Sequence, residues 1–259
     1  MTRVRMIERP ESHVYGILCA TPEELEALRE RLRPEPIPQT FGPTQVWTGA
    51  HEGQPFALAL AGIGKVNAAA AATLLLAVFR AELLIFAGVA GGLNPALAVG
   101  AVLLGERLGV HDFGRIAEGT FTPTRSGLIP IGAPTLTELH PVSDGVRANL
   151  LRLRERMWDA LPASLGAIAT ADYFLNCPAT RDELHVALAA DAIDMESGAV
   201  HQVAEAWGAP CYVIRTLSDL AGEDSHLDYP RLAAMAAGNS ALCVTELLAI
   251  LTAQRVAAS

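Results

Sequence analysis

The chain reads as an α/β fold in which a mostly parallel sheet is covered by helices on both faces. Three observations predict it. Short apolar, β-branched runs alternate with longer Ala- and Leu-rich helical patterns from residue 14 to the end. Several of the short runs lack polar alternation, as strands buried between helical layers do. No repeat or linker divides the 259 residues, so 14–259 are expected to form one domain behind an N-terminal extension of residues 1–13.

Taken in order, Val14 to Ala20 is the first strand. Thr21-Pro22-Glu23-Glu24 then supplies a capping hydroxyl, a proline at the first helical position and two acids in the first turn, starting a helix to about Leu32. Val46 to Gly49 and Phe56 to Ala61 are strands joined by a turn at Gly53. Gly62-Ile63-Gly64-Lys65 opens a helix over Val66 to Arg80. Leu83 to Ala87 is a buried strand ending in the loop Gly88-Val89-Ala90-Gly91-Gly92, and Ala101 to Val110 is another strand. His111 to Ser143, rich in Pro, Gly and Thr, has little periodicity; a structureless stretch of ~30 residues is often a lid or an interface. Helices are expected at Asp144 to Asp159 and Arg181 to Ala189, with the strand Leu165 to Thr170 between them. Next come an apolar approach ending at Ile193, a small-residue turn at Ser197-Gly198, and a helix through Ala206. The strand Cys211 to Ile214 and a long helix from about Tyr229 to Leu251 close the chain.

Composition narrows the function. Hydrophobic residues make up 51% and charged residues 18%, which argues against disorder. The formal charge of −9, with no basic run, argues against nucleic acid and anionic membrane as partners. No apolar run approaches the ~20 residues of a membrane span. Residues 1–13 lack the apolar core of a secretory signal, and four scattered cysteines form no C-x-x-C pair, so a cytoplasmic location is expected.

Two motif readings are set aside. The turn at Gly62 has Asn67 where a dinucleotide fingerprint needs glycine and Val66 where a phosphate loop needs Ser or Thr, so a tight strand-to-helix turn is preferred. The histidines show no metal-ligand spacing, so no metal and no cofactor is expected, and His111-Asp112 reads as a hydrogen-bonding loop pair. What remains is a group. Glu24, Glu196 (with Asp194 beside it) and Asp219 lie at the ends of three apolar strands, next to the glycine-rich end of a fourth. Arg215 stands ready to orient or neutralise an acid, and Phe174 and Tyr229 offer flat surfaces to a ring. Ligands of open parallel sheets bind outside such strand ends.

These residues carry a resemblance. G-I-L-C-A-T-P-E-E at the first strand, A-G-I-G-K-V-N-A-A, G-V-A-G-G-L with V-G-A-V, H-D, D-M-E, R-T-L-S-D-L-A and S-H-L follow one another in this order. The chain resembles the nucleoside phosphorylase/nucleosidase superfamily from about Val14 to Leu251. Within it, the chain is most similar to the 5′-methylthioadenosine/S-adenosylhomocysteine nucleosidases. The resemblance implies a three-layer α/β/α fold with a central mixed, mostly parallel twisted sheet, a homodimer, and cleavage of a purine–ribose bond by water. It also implies roles. Glu24 would activate the water, with Arg215 beside it. Glu196 would hold the ribose hydroxyls, with Met195 on the sugar. Asp219, oriented by Ser218, would serve N7 of the leaving adenine. Phe174 would stack on the base, Leu175 would read its edge through its backbone, Tyr229 would line the 5′ side, and Val89, Ala90 and Gly91 would form the glycine-rich wall.

The chain departs from the family at Val89, where Ser is usual, at Thr21, where Met is common, at Tyr229, where Phe is common, and throughout 111–143. Alternatives are a phosphate-dependent phosphorylase, a futalosine-type or nucleotide-cleaving hydrolase, and a nucleoside-binding sensor. Phosphorolysis is disfavoured because an anion near the first strand would meet Glu24 rather than a cation.

Overall fold

The computed structural model describes residues 13–258. All but the last residue of the expected N-terminal extension, with its reading as a non-signal segment, lies outside the described residues.

The chain opens with β1 (Tyr15–Cys19) and α1 (Pro22–Leu32), followed by a meander of β2 (Gln39–Phe41), β3 (Thr44–His51) and β4 (Gln54–Leu60). Then come α2 (Lys65–Ala77), β5 (Leu83–Gly92) and β6 (Val102–Val110). The segment that lacked periodicity holds a hairpin, β7 (Gly114–Ala117) with β8 (Thr120–Pro123), and the short β9 (His140–Pro141). The second half runs α3 (Asp144–Met157), β10 (Ala163–Thr170), α4 (Pro178–Leu188), β11 (Ala192–Asp194), α5 (Ser197–Trp207), β12 (Cys211–Asp219) and α6 (Ser225–Ala258).

The main sheet has the order β11-β10-β6-β12-β5-β1-β4-β3-β2. Strands β4, β1, β5 and β12 are parallel neighbours, and β6, β10 and β11 form a second parallel set. The two sets meet antiparallel at β12 and β6. Helices α1, α3 and α6 pack together against one side, and α2 and α5 against the other, giving the three layers. The main core gathers Ile17, Phe56, Leu58, Ile85, Phe86, Leu104 and Ile214, all nearly or fully removed from water. A smaller cluster, including Leu93, Leu139, Leu175 and Ile193, lies apart from it.

Several expectations need correction. The sheet is not open at its carboxyl ends, because β5 also pairs antiparallel with β11 (Gly91 with Ile193, Gly92 with Ala192). This closes β11, β10, β6, β12 and β5 into a ring. The Gly88–Gly92 stretch is therefore strand, not loop, paired with β12 as far as Gly91 and with β11 at Gly91 and Gly92. Ser197 and Gly198 are the first turn of α5, where Gly198 lets the helix sit on the backbone of Gly109 and Val110. Strand β12 runs on through Asp219, so Arg215 lies inside it and does not surface. Finally, α6 starts at Ser225, with Pro230 inside it, and its Ser225–Ala257 stretch is long and apolar enough to cross a membrane. An Ala-rich helix reaches that mean hydropathy without an unbroken apolar run, and half of its most apolar window is buried inside the fold.

Candidate active site

The site begins where β1 becomes α1. The Thr21 hydroxyl accepts the Glu24 N–H at 3.3 Å, and Glu24 Oε2 accepts the N–H groups of Thr21 at 3.1 Å and Ala20 at 2.7 Å. The capping hydroxyl and the first-turn acid of this box were legible in the local sequence. Its second consequence was not: Glu24 Oε1 accepts the Val89 N–H at 2.9 Å, which ties α1 to β5 and seals the carboxylate to 3% exposure. Burial raises the Glu24 pKa, while the Arg215 charge and the three N–H donors pull it down. Gly88 is required beneath: a Cβ there would lie 2.2 Å from Glu24 Oε1 and 2.3 Å from Arg215 Nη1.

Arg215 is fully buried, its guanidinium 3.9 Å from the centroid of the Phe86 ring. Nε donates to Asp194 Oδ2 at 2.8 Å, and Nη2 donates to Glu196 Oε2 at 3.4 Å. Nη1 has no hydrogen-bond partner among the described residues. Asp194 is no free acid at a strand end. It also accepts the Thr170 hydroxyl at 2.6 Å, the N–H groups of Glu196 and Ser197, and the Ser197 hydroxyl. It thus braces the start of α5 and the arginine. Glu196 Oε1 accepts the Gly64 N–H at 2.8 Å. Burial raises the Glu196 pKa, with Arg215 opposing and Asp194 adding to the rise.

At the end of β12 the Ser218 hydroxyl donates to Asp219 Oδ2 at 2.9 Å, and Asp219 Oδ1 accepts the Ala221 N–H at 2.9 Å. Burial raises the Asp219 pKa against these hydrogen bonds. Gly91 allows β5 to approach, since a Cβ there would stand 3.1 Å from Asp219 Oδ1.

These groups surround one cavity of about 340 Å³. Glu24, Val89, Ala90, Gly91, Phe174, Leu175, Met195, Glu196, Ser218, Asp219 and Tyr229 all line it, and Arg215 stands directly behind the acids. Phe174 and Tyr229 meet edge to face at the mouth, ring centroids 6.1 Å apart. Sequence reasoning missed Ile63 and Tyr173 as lining residues. Ile63 had a signal: it lies between Gly62 and Gly64, whose φ values of +89° and +97° form a tight turn that presents the side chain between them. Tyr173 had only its position beside Phe174; its hydroxyl meets His111 Nε2 at 2.9 Å.

The turn at Gly62 opens α2 but leaves no free anion cradle at these positions. The Gly64 N–H is taken by Glu196, and the Lys65 N–H by Asp172 at 3.0 Å. Among the described residues, no group of three or more His, Cys, Asp or Glu side chains is placed to hold a metal ion.

Comparison with known proteins adds the family context. A family model described as the phosphorylase superfamily matches residues 14–249. A 5′-methylthioadenosine/S-adenosylhomocysteine nucleosidase of Mycobacterium bovis is 36% identical, covering 92% of this chain and 98% of its own. Among solved structures, the enzyme of that name from Neisseria meningitidis, in complex with methylthio-immucillin-A, superposes with a TM-score of 0.79 at 29% identity, covering 91% of this chain and 98% of its own. A futalosine hydrolase of Helicobacter pylori has a TM-score of 0.80 at 24% identity, covering 92% and 97%, a likeness of fold.

Proposed function

Because the chain belongs to the phosphorylase superfamily, we infer that its site hydrolyses the N-glycosidic bond of an adenine nucleoside of the methylthioadenosine and S-adenosylhomocysteine type, releasing adenine and the free sugar. The observation that carries water rather than phosphate as the nucleophile is the filling of the anion positions. The Gly64 N–H holds the protein's own Glu196 carboxylate, and the buried cation Arg215 is ringed by Asp194, Glu196 and Glu24. A phosphate entering there would face acids in a desolvated pocket.

The residue roles follow from the chemistry. Breaking the bond leaves positive charge on the ribose and negative charge on the base. Glu24 takes the proton of the attacking water, and the buried Arg215 charge behind it, with Nη1 close to Glu24 Oε1, favours the ionised carboxylate. Glu196 accepts the ribose hydroxyls, with Met195 against the sugar. Asp219, held by Ser218 and kept protonatable by burial, delivers a proton to N7 as electrons move into the base. Phe174 stacks on the ring, Leu175 offers its backbone to the base edge, Tyr229 faces the 5′ group, and Val89, Ala90 and Gly91 close the back. No cofactor or metal takes part.

The working form is a homodimer in the cytoplasm, serving methionine salvage. Support for the dimer comes from the exposed apolar side chains of Ile116, Phe121, Ile129 and Ile131 in the segment 111–143. Buried, unpaired Cys19, Cys211 and Cys243 are consistent with a reducing compartment.

The test is to incubate the protein with methylthioadenosine, with and without phosphate, and follow adenine and the sugar product. Phosphate-independent release of free sugar is expected; a phosphate requirement with a sugar 1-phosphate product overturns the role given to Glu24. Light scattering that finds monomers at working concentration overturns the dimer.

A further inference from the structure

Outside the groups assigned above, one charged cluster stands beside the cavity mouth, where α2 begins and β6 and β10 end. Lys65 Nζ pairs with Asp112 Oδ1 and with Asp172 Oδ2 at 3.4 Å. The backbone closes the same circuit, since the Lys65 N–H donates to Asp172 Oδ1 at 3.0 Å and the Asp172 N–H donates to Asp112 Oδ2 at 2.8 Å. Three segments distant in sequence are thereby tied at one point.

The neighbours of this point give it meaning. Just before Lys65, the Gly64 N–H holds Glu196. Just after Asp172 come Tyr173, bonded to His111, and then Phe174 and Leu175 in the cavity wall. Two residues earlier, Thr170 holds Asp194. Neither Lys65 nor Asp112 lines the cavity, so neither is suited to touch a ligand there. Both side chains are about one-fifth exposed, which leaves the pair partly desolvated and still open to screening by salt.

We propose that Lys65 and Asp112 are positioning residues, a latch that holds the Glu196 carboxylate and the 172–175 strand exit in register with each other around the bound nucleoside. The proposal rests on the nucleosidase reading of the site. A side chain serving only the fold would lower stability when removed and leave the affinity of the surviving folded protein unchanged. A latch acts on ligand affinity, and its two members act as one unit.

The test compares Lys65→Met, Asp112→Asn, the double variant and Lys65→Arg with the wild-type protein on methylthioadenosine, at low and high salt, with Tm recorded for each. Each neutral variant is expected to raise KM about tenfold while kcat falls less than about threefold, and the double variant to be no worse than the poorer single one. Lys65→Arg keeps the charge and recovers most of the loss. KM of the wild type rises with salt, and that dependence disappears in Lys65→Met. Unchanged KM, additive losses in the double variant, or effects confined to Tm overturn the latch. Wild-type turnover tests the nucleosidase reading separately. If the wild type shows none, calorimetric Kd values for methylthioadenosine in the same proteins supply the same ratios, and an unchanged Kd overturns the latch there too.

Discussion

On the inner wall, Glu24, Asp194, Glu196 and Arg215 are all at most 6% exposed, whereas at the mouth Tyr173 and Phe174 are 37% and 48% exposed. The inner groups hold fixed backbone N–H donors, hydroxyls and one another. The rim residues hold two T-shaped ring contacts and a single phenol–imidazole hydrogen bond. On the roles proposed above, groups that handle charge are fixed before a ligand arrives, since buried dipoles and charges act most strongly when they need no reorganisation, and groups that choose the ligand stand partly in water.

The largest break in that contrast comes from Glu24→Gln. Removing the base is expected to lower kcat by about 10²–10⁴-fold. Because both carboxylate oxygens accept N–H groups, the amide must also turn an NH₂ toward a donor, for a further loss of about 1–3 kcal/mol in stability. Turnover at wild-type rates in the folded variant would remove Glu24 from the chemistry. Asp219→Asn should cut kcat over a similar range and abolish the limb of the pH–rate profile that reports a required acid; a retained limb would assign that proton to another group.

Arg215→Met tests the inner wall as structure. It strands buried carboxylates without their cation, at a cost of about 3–5 kcal/mol measured by denaturant unfolding. A variant as stable as the wild type would mean that these acids are already neutral. Phe174→Ala tests the rim: KM should rise by roughly tenfold, with stability nearly unchanged because the ring is half exposed. If Tm falls as it does for Arg215→Met, the rim is part of the fold and the contrast fails.

The smallest effect is on stability against pH. Burial raises the folded-state pKa values of Glu24 and Glu196 above an ordinary 4.5 and that of Asp219 above 3.8. The folded state therefore binds these protons more tightly than the unfolded chain. Their contribution is fully present below the ordinary values and is lost as pH rises through the shifted ones. Tm should fall as pH rises above about 4.5, and Asp219→Asn should flatten that fall slightly. An unaltered slope would mean that Asp219 does not titrate with folding.

How much of this was legible depended on sequence distance. The Thr21–Glu24 capping box spans three residues, and its chemistry was plain from the residue types. Glu196, Ser218 and Asp219 were found because apolar strands end in polar residues. The bonds that make the inner wall rigid link residues far apart: Gly64 to Glu196 over 132 positions and Val89 to Glu24 over 65. Periodicity carries no information about such pairs. The same limit hid the enclosure of Asp194 by Thr170, Ser197 and Arg215 and the burial of Arg215 inside β12. The 111–143 hairpin escaped because its strands are short and largely exposed, with no buried face to impose alternation.

The pairing of β5 with both β12 and β11 also limits how this protein can vary. Gly91 follows β12 in one direction and opposes β11 in the other. An inserted or deleted residue after Gly88 would have to slide past two neighbours running opposite ways, and no single shift satisfies both. Changes of length beside Gly91 would therefore have to be absorbed as bulges, as the extra Ser218 between the Leu217–Ala90 and Asp219–Gly91 pairs of β12 already is.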